Sequence, residues 1–230
     1  MMIKQLHILF TLLVLIISNS TYSQYSTLLN FEGVTNGKNP FGSLFSDGNF
    51  LYGMTVTGGI NDDGTIFRIL PDGSGFDKLI DFAGTTNGSN PSSALISDNV
   101  FLYGTTQAGG TNNQGIIFRI LPDGSSFEKL MDFDGSSSGG NPIGSLVFDG
   151  TFLYGMTYDG GINNLGTVFK IKPDGSNFIK LMDFDGVSNG SHPYGSLLCD
   201  GNFLYGLTNV GGTTNLGTIF KIMIDGTGYL

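Results

Sequence analysis

An all-β propeller of four-stranded antiparallel blades is the fold this sequence predicts, and three observations carry it. The phrase "NFLYGMTVTGG", Asn49 to Gly59, recurs as "VFLYGTTQAGG", "TFLYGMTYDGG" and "NFLYGLTNVGG", with its tyrosines at Tyr52, Tyr103, Tyr154 and Tyr205, 51 residues apart. A period of that length belongs to propeller blades rather than to the shorter coils of a β-helix. Glycine is plentiful (37 residues) and charge is scarce (13%), which suits short strands joined by tight turns and not helices. Finally, the strands carry apolar side chains on both faces, as blades stacked around an axis require.

Taken in chain order, Met1 to Ser23 stands outside the repeats. Lys4 is followed by the apolar run Ile8 to Ile17 and then by small and polar residues. This reads as a secretory signal peptide cleaved before Gln24. The run is about half of the ~20 residues that a membrane-spanning helix needs. A secreted or extracellular protein without a retained membrane anchor is expected, its single repeat domain covering 24–230. Attachment to the cell surface would require a continuation into an anchor beyond Leu230.

The next segment, Tyr25 to Asn30 ("YSTLLN"), matches "FDKLID" at Phe76 to Asp81 one period later. The last copy stops at Tyr229-Leu230, where its own fourth strand would begin. The N-terminal segment is therefore expected to pair with the strand around Phe220, closing the ring and removing an exposed edge. The expected product is a monomer.

Within the first copy, Ser43 to Ser46 is a short strand, Asp47-Gly48 a hairpin turn and Asn49 to Val56 a second strand. Asp-Gly suits the positive backbone angles of a tight hairpin. A glycine-rich loop, Thr57 to Asp63, leads to a third strand, Thr65 to Leu70. Pro71-Asp72-Gly73 turns the chain, proline presetting one turn angle and glycine tolerating the left-handed one. The fourth strand is Phe76 to Phe82. Phe67 and Ile69 point to one face, Ile66 and Leu70 to the other, and Phe76, Ile80 and Phe82 are opposed to Leu79. In "LYG" two side chains pack, and the glycine admits a neighbouring backbone. The basic column Arg68, Arg119, Lys170 and Lys221 packs its stems and extends its heads from the blade edge.

The set of motifs "LYGxT…GG…GT[IV]F[RK]I…PDG…F.KLxDF.G…P" resembles the GloVer tandem repeat, known from bacterial exported proteins with varied C-terminal anchors. The resemblance covers Tyr25 to Leu230. Only Thr105 gives the usual "LYGTT"; Met54, Met156 and Leu207 depart from it. The resemblance implies an exported repeat protein and brings no established activity with it.

Charge and composition narrow the function further. Loss of Lys4 with the leader takes the formal charge from −9 to −10, which argues against nucleic acid as a partner, since affinity there comes from basic residues on phosphates. Cys199 is the only cysteine, and its counterparts Ser46, Ser97 and Phe148 mark an ordinary packing column. No disulfide, cofactor or metal is expected. The "DFDGSSSGGN" stretch, Asp132 to Asn141, offers hard oxygen ligands of the kind calcium takes, but it is read as turns capped by aspartate. His192 replaces the Asn39, Asn90 and Asn141 column and is read as a turn residue, so Ser/His/acid chemistry has no partner set.

Two functional readings result. The first is an exported binding or surface-interaction module, with an extracellular glycan or protein as partner. Between the fixed "LYGxT" and the fixed "GG" two residues change in every copy: Val56-Thr57, Gln107-Ala108, Tyr158-Asp159 and Asn209-Val210. Loops on a rigid scaffold are where recognition resides. Tyr158 is suited to stacking on a sugar ring, with Gln107, Asp159 and Asn209 supplying hydrogen bonds. The alternative is a propeller-type glycan hydrolase or lyase using a carboxylate pair. Asp62, Asp63, Asp159 and Glu32 are its candidates because they lie outside the repeated columns, and no catalytic residue is assigned.

Overall fold

The computed structural model describes residues 25–228; the leader expected over 1–23 lies outside them. Among the described residues every regular element is a strand, arranged as four antiparallel sheets. Blade 1 holds β1 (Lys38–Pro40), β2 (Phe45–Ser46), β3 (Leu51–Thr57), β4 (Thr65–Ile69) and β5 (Asp77–Asp81). Blade 2 holds β6 (Ile96–Ser97), β7 (Leu102–Thr106), β8 (Ile116–Ile120) and β9 (Glu128–Asp132). Blade 3 repeats them as β10 (Val147–Phe148), β11 (Leu153–Thr157), β12 (Thr167–Ile171) and β13 (Ile179–Asp183). Blade 4 contributes β14 (Leu198–Cys199), β15 (Phe203–Thr208) and β16 (Thr218–Met223). This is a four-repeat propeller architecture.

The recurring phrase of each repeat has a local cause. Asp47 accepts hydrogen bonds from the amides of Asn49 and Phe50, both at 2.8 Å, and its second oxygen accepts one from the Tyr52 hydroxyl at 2.8 Å. The same arrangement joins Asp98 to Tyr103, Asp149 to Tyr154 and Asp200 to Tyr205. The tyrosine of "LYG" thus finds its polar partner in the aspartate of the preceding hairpin. Burial pushes the carboxyls of Asp47, Asp98 and Asp149 up, but the two turn amides and the phenol more than offset it and hold each below the ordinary 3.8. Burial, and then the aspartate, push the Tyr52 phenol up to about 12.

The glycine of "LYG" has a different cause from the one predicted. A Cβ on Gly53 would stand 2.5 Å from Cζ of Phe67 and 2.9 Å from Leu44 Cδ2, and Gly104, Gly155 and Gly206 face Phe118, Phe169 and Phe220 in the same way. A cross-strand phenylalanine ring, not a neighbouring backbone, excludes a side chain there.

A β-bulge between Ile66 and Phe67 also corrects the predicted alternation of the fourth strand. Ile66 pairs with Ile80 and Phe67 with Lys78, so Leu79 is the extra residue. An extra residue shifts the side chains on either side of it to opposite faces of the ladder. Phe76 therefore stacks on Phe67, 5.8 Å between centroids, while Phe82 packs edge-on against Phe118 of blade 2. Phe76 and Phe82 serve opposite faces.

The core lies between blades. Tyr52, Met54, Ile66 and Phe82 meet Leu95, Leu102, Phe118 and Ile120 across the first junction, and equivalent residues form the second and third. Arg68 spans the first junction: its guanidinium lies 4.8 Å from the Phe50 ring centroid and donates to the Pro122 carbonyl of blade 2 at 3.0 Å. The basic column thus bridges blades as well as packing its stems.

Closure by the N-terminal segment is not seen. Tyr25 to Asn30 forms no strand, and β16 pairs with β15 alone, leaving three strands among the described residues of the last sheet. Leu28 lies instead over Gly73 of blade 1, as Leu79 lies over Gly124, Leu130 over Gly175 and Leu181 over Gly226. The segment holds the place of a fourth strand from a preceding blade. The described residues form an open arc, because the end faces of blades 1 and 4 do not meet: Leu44 remains 54% and Ile219 82% exposed.

Candidate functional site

Of the four variable pairs, Val56-Thr57 closes β3 and the other three directly follow β7, β11 and β15. Each is fixed through its backbone: the amides of Gln107, Tyr158 and Asn209 donate to the carbonyls of Asn90, Asn141 and His192, at 3.2, 3.1 and 3.2 Å. Those acceptors sit in the connection entering the same blade, and their own amides reach back to the preceding blade, at Asp63, Gln114 and Leu165. Asn39, Asn90, Asn141 and His192 all hold a left-handed backbone, φ 51–56°, which asparagine adopts most readily among residues with a side chain. Because the blades repeat, the variable pairs share one face of the arc.

One junction on this face differs from the others in chemistry. Between blades 3 and 4, the Tyr158 ring lies 4.8 Å from the His192 ring and 6.2 Å from that of Tyr194, the latter edge-on at 86°. The Asp159 carboxylate stands 3.7 Å from His192 Nε2, and its other oxygen accepts a hydrogen bond from Asn141 Nδ2 at 3.2 Å. Tyr158, Asp159 and His192 are half-buried and Tyr194 is half-exposed. The corresponding place between blades 1 and 2 holds Val56, Thr57, Asn90 and Ser92, where Asn90 Nδ2 donates to the Val56 carbonyl.

Of the predicted residues, the structure brings Tyr158 and Asp159 together and sets the Asn209 backbone against His192. Gln107 belongs to the next junction along. Sequence reasoning misses His192 and Tyr194 as site residues, although it holds a signal for them: each breaks its column, Asn39/Asn90/Asn141 and Phe41/Ser92/Ile143, in the same copy.

Among the remaining acids, the carboxylates of Asp62, Asp132 and Asp134 are engaged locally. Asp62 bridges to Lys38 at 2.9 Å and accepts the Gly58 amide at 2.8 Å. Burial, and next the neighbouring Asp62, raise the carboxyl of Asp63. The Glu32 amide donates to Asn36. In the "DFDGSSSGGN" loop, Asp134 accepts the amides of Ser136 and Ser138, both at 2.9 Å, and the hydroxyls of Ser137 and Ser138. Burial opposes ionisation of Asp134, but these donors win and hold it far below the usual carboxylate range. Asp132 accepts the Thr111 amide and pairs with Lys129 at 2.7 Å. Among the described residues no group of three His, Cys, Asp or Glu is placed to hold a metal, and no helix is long and apolar enough to cross a membrane.

The sequence profile described as the Gloeobacter/Verrucomicrobia repeat matches residues 14–134 and 97–229. No curated protein matches the chain. Similar solved structures include a nidogen/laminin complex, at 15% identity and TM-score 0.47, with 83% of this chain and 78% of that one covered. TolB from Acinetobacter baumannii matches at 12% and 0.46, with 72% and 36% covered. The extracellular domain of a one-component system from B. thetaiotaomicron matches at 13% and 0.49, with 78% and 21% covered. The chain thus spans about a third of that TolB and a fifth of the one-component system.

Proposed function

We propose that this chain, which belongs to the Gloeobacter/Verrucomicrobia repeat family, is a secreted binding module that takes an extracellular glycan at the junction of blades 3 and 4. One observation carries the reading: the Tyr158–His192–Tyr194 aromatic cluster, with Asp159 beside it, occurs in one copy alone, since no other copy has aromatic rings in all three columns (Val56, Gln107 and Asn209; Asn39, Asn90 and Asn141; Phe41, Ser92 and Ile143). Packing requirements repeat with the blades, so a cluster present once answers to something other than packing. Its chemistry suits a sugar. Aromatic rings with polar tips combine an apolar face with hydrogen-bonding capacity, and a few convergent polar groups fix ligand orientation. Asp159, beside the rings, supplies one polar group, and Asn209, whose amide bonds to the His192 carbonyl and whose side chain is exposed, is proposed as a second.

The cluster contains one carboxylate, Asp159, whereas hydrolysis of a glycosidic bond ordinarily uses two. Binding therefore fits better than cleavage. A glycan array on the purified protein, followed by titration of the best ligand, tests the reading. Tyr158→Ala is expected to weaken that ligand at least about tenfold, the equivalent of about 1.4 kcal/mol. Binding that survives Tyr158→Ala and Asp159→Ala removes the site, and release of new reducing ends would favour the hydrolase. Secretion is checked by N-terminal sequencing of exported material, expected to begin near Gln24; intact Met1 in the membrane fraction would reverse it.

A further inference from the structure

We propose that the two ends of the arc are the halves of one interface, which a second copy of the chain completes head to tail. The template is the junction repeated three times inside the chain. There the leading face of one blade, Tyr52, Met54 and Ile66, packs on the trailing face of the next, Leu95, Leu102, Phe118 and Ile120. Blade 4 carries its own leading face, Tyr205, Leu207 and Ile219, with no further blade upon it among the described residues. Leu207 is 55% and Ile219 82% exposed, where Met54 and Ile66 are buried. Blade 1 carries its own trailing face, Leu44, Leu51, Phe67 and Ile69. With Tyr25 and Leu28, these residues line an open apolar cavity of about 360 Å³. Apolar surface of this kind marks an interaction site.

The polar fittings of the junction are also present in halves. Arg68, Arg119 and Lys170 donate to the Pro122, Pro173 and Ile224 carbonyls of the following blade. The next in that series is Lys221, and its acceptor is the Pro71 carbonyl of blade 1. Pro91, Pro142 and Pro193 press their Cδ atoms against Gly64, Gly115 and Gly166. Gly217 has no proline beside it among the described residues, and the corresponding proline is Pro40. The Ala94 amide donates to Ser145 Oγ and the Ser145 amide to Ser196 Oγ. The series continues from the Ser196 amide to Ser43 Oγ.

Backbone pairing completes the match. Among the described residues of blade 4 no strand pairs with the outer edge of β16. Tyr25 to Asn30 is already docked on blade 1 where a preceding blade's fourth strand belongs, with Leu28 over Gly73. A second copy's β16 beside it forms the missing ladder. Leading meets trailing, so the contact is heterologous; such contacts build either a closed ring or an open filament, and the proposal is the ring of two copies. Eight blades lie within the usual propeller range of about four to eight.

Light scattering on the purified chain is expected to return twice the protomer mass. Leu44 and Ile219 are exposed in the single copy, so Leu44→Asp and Ile219→Asp leave its fold intact, a point checked by circular dichroism. Each change buries an unpaired charge in the interface and should weaken association at least about tenfold. Mixing the two variants restores a dimer, because each retains the end that the other lacks. A monomeric parent chain, a dimer indifferent to both changes, or a mixture that stays monomeric overturns the proposal. A Ser43→Cys, Ser196→Cys, Cys199→Ser variant reports independently of folding yield. A covalent dimer under oxidation supports the interface; an intramolecular bridge shows that one copy closes on itself and overturns it.

Discussion

Junctions 1–2 and 3–4 share a skeleton and differ at the rim. In both, a fully buried phenylalanine from one blade meets another edge-on across the gap: Phe82 and Phe118 at 5.6 Å, Phe184 and Phe220 at 5.4 Å. A few residues away, one rim holds Asn90 bonded to a backbone carbonyl and the other holds Tyr158, His192, Tyr194 and Asp159. The core is copied because every pair of blades has the same gap to fill. The rim is free to vary because its backbone bonds do not depend on which side chain is present. The residues that hold the blades together are copied, whereas the rim proposed as the binding site is not, and the comparison can be tested from both sides.

The largest effect is expected in the copied core. Phe118 is completely buried between blades 1 and 2, and Phe118→Ala should cost roughly 3–5 kcal/mol of stability. Denaturant titration of the variant measures it; a cost near that of a surface change would mean that the junction is not the core.

A smaller effect is expected at the copied polar pair. Tyr103→Phe removes the phenol that Asp98 accepts, at a cost of about 1–3 kcal/mol because the carboxylate loses a partly buried donor. Its pH signature comes from the shifts. Asp47, Asp98, Asp149 and Asp200 are all held below 3.8 in the fold, so the folded state binds fewer protons there than the unfolded chain does. Their contribution is fully present above about pH 4 and is lost as pH falls through the lowered values. Tyr52, raised to about 12, contributes below about pH 10 and loses that contribution as pH rises toward 12. Thermal melts between about pH 2 and 7 should show the acid loss, and Asp98→Asn should make it shallower. A melting temperature flat across that range would contradict the assignment.

The copied parts are legible in the sequence because they are required by short-range geometry. "DG" five residues before the tyrosine, "LYG" and "GT[IV]F" each supply one member of a contact within a hairpin, and the strand limits fall within two residues of those expected. What is not legible depends on a third dimension. The bulge at Ile66/Phe67 redirects Phe76 although "FDKLIDF" looks evenly alternating. The docking of Leu28 on blade 1, rather than a ladder with β16, depends on where the two ends of the arc stand. His192 and Tyr194 lie 34 and 36 positions after Tyr158 and meet it only because successive blades are adjacent.

The smallest effect on stability, paired with the largest on binding, is expected when the exceptional rim is made like its neighbour. Tyr158→Gln with His192→Asn gives junction 3–4 the residues that stand at junction 2–3, Gln107 and Asn141. Asparagine suits the left-handed backbone at 192 and the rings lost are only half-buried, so the stability should stay within about 1 kcal/mol of the parent. Calorimetric titration of this double variant with the array-selected glycan is the most direct measurement of the central claim, that recognition resides where the repeat is broken. Binding is expected to be lost in a protein nearly as stable as its parent; undiminished affinity in that protein would place recognition elsewhere.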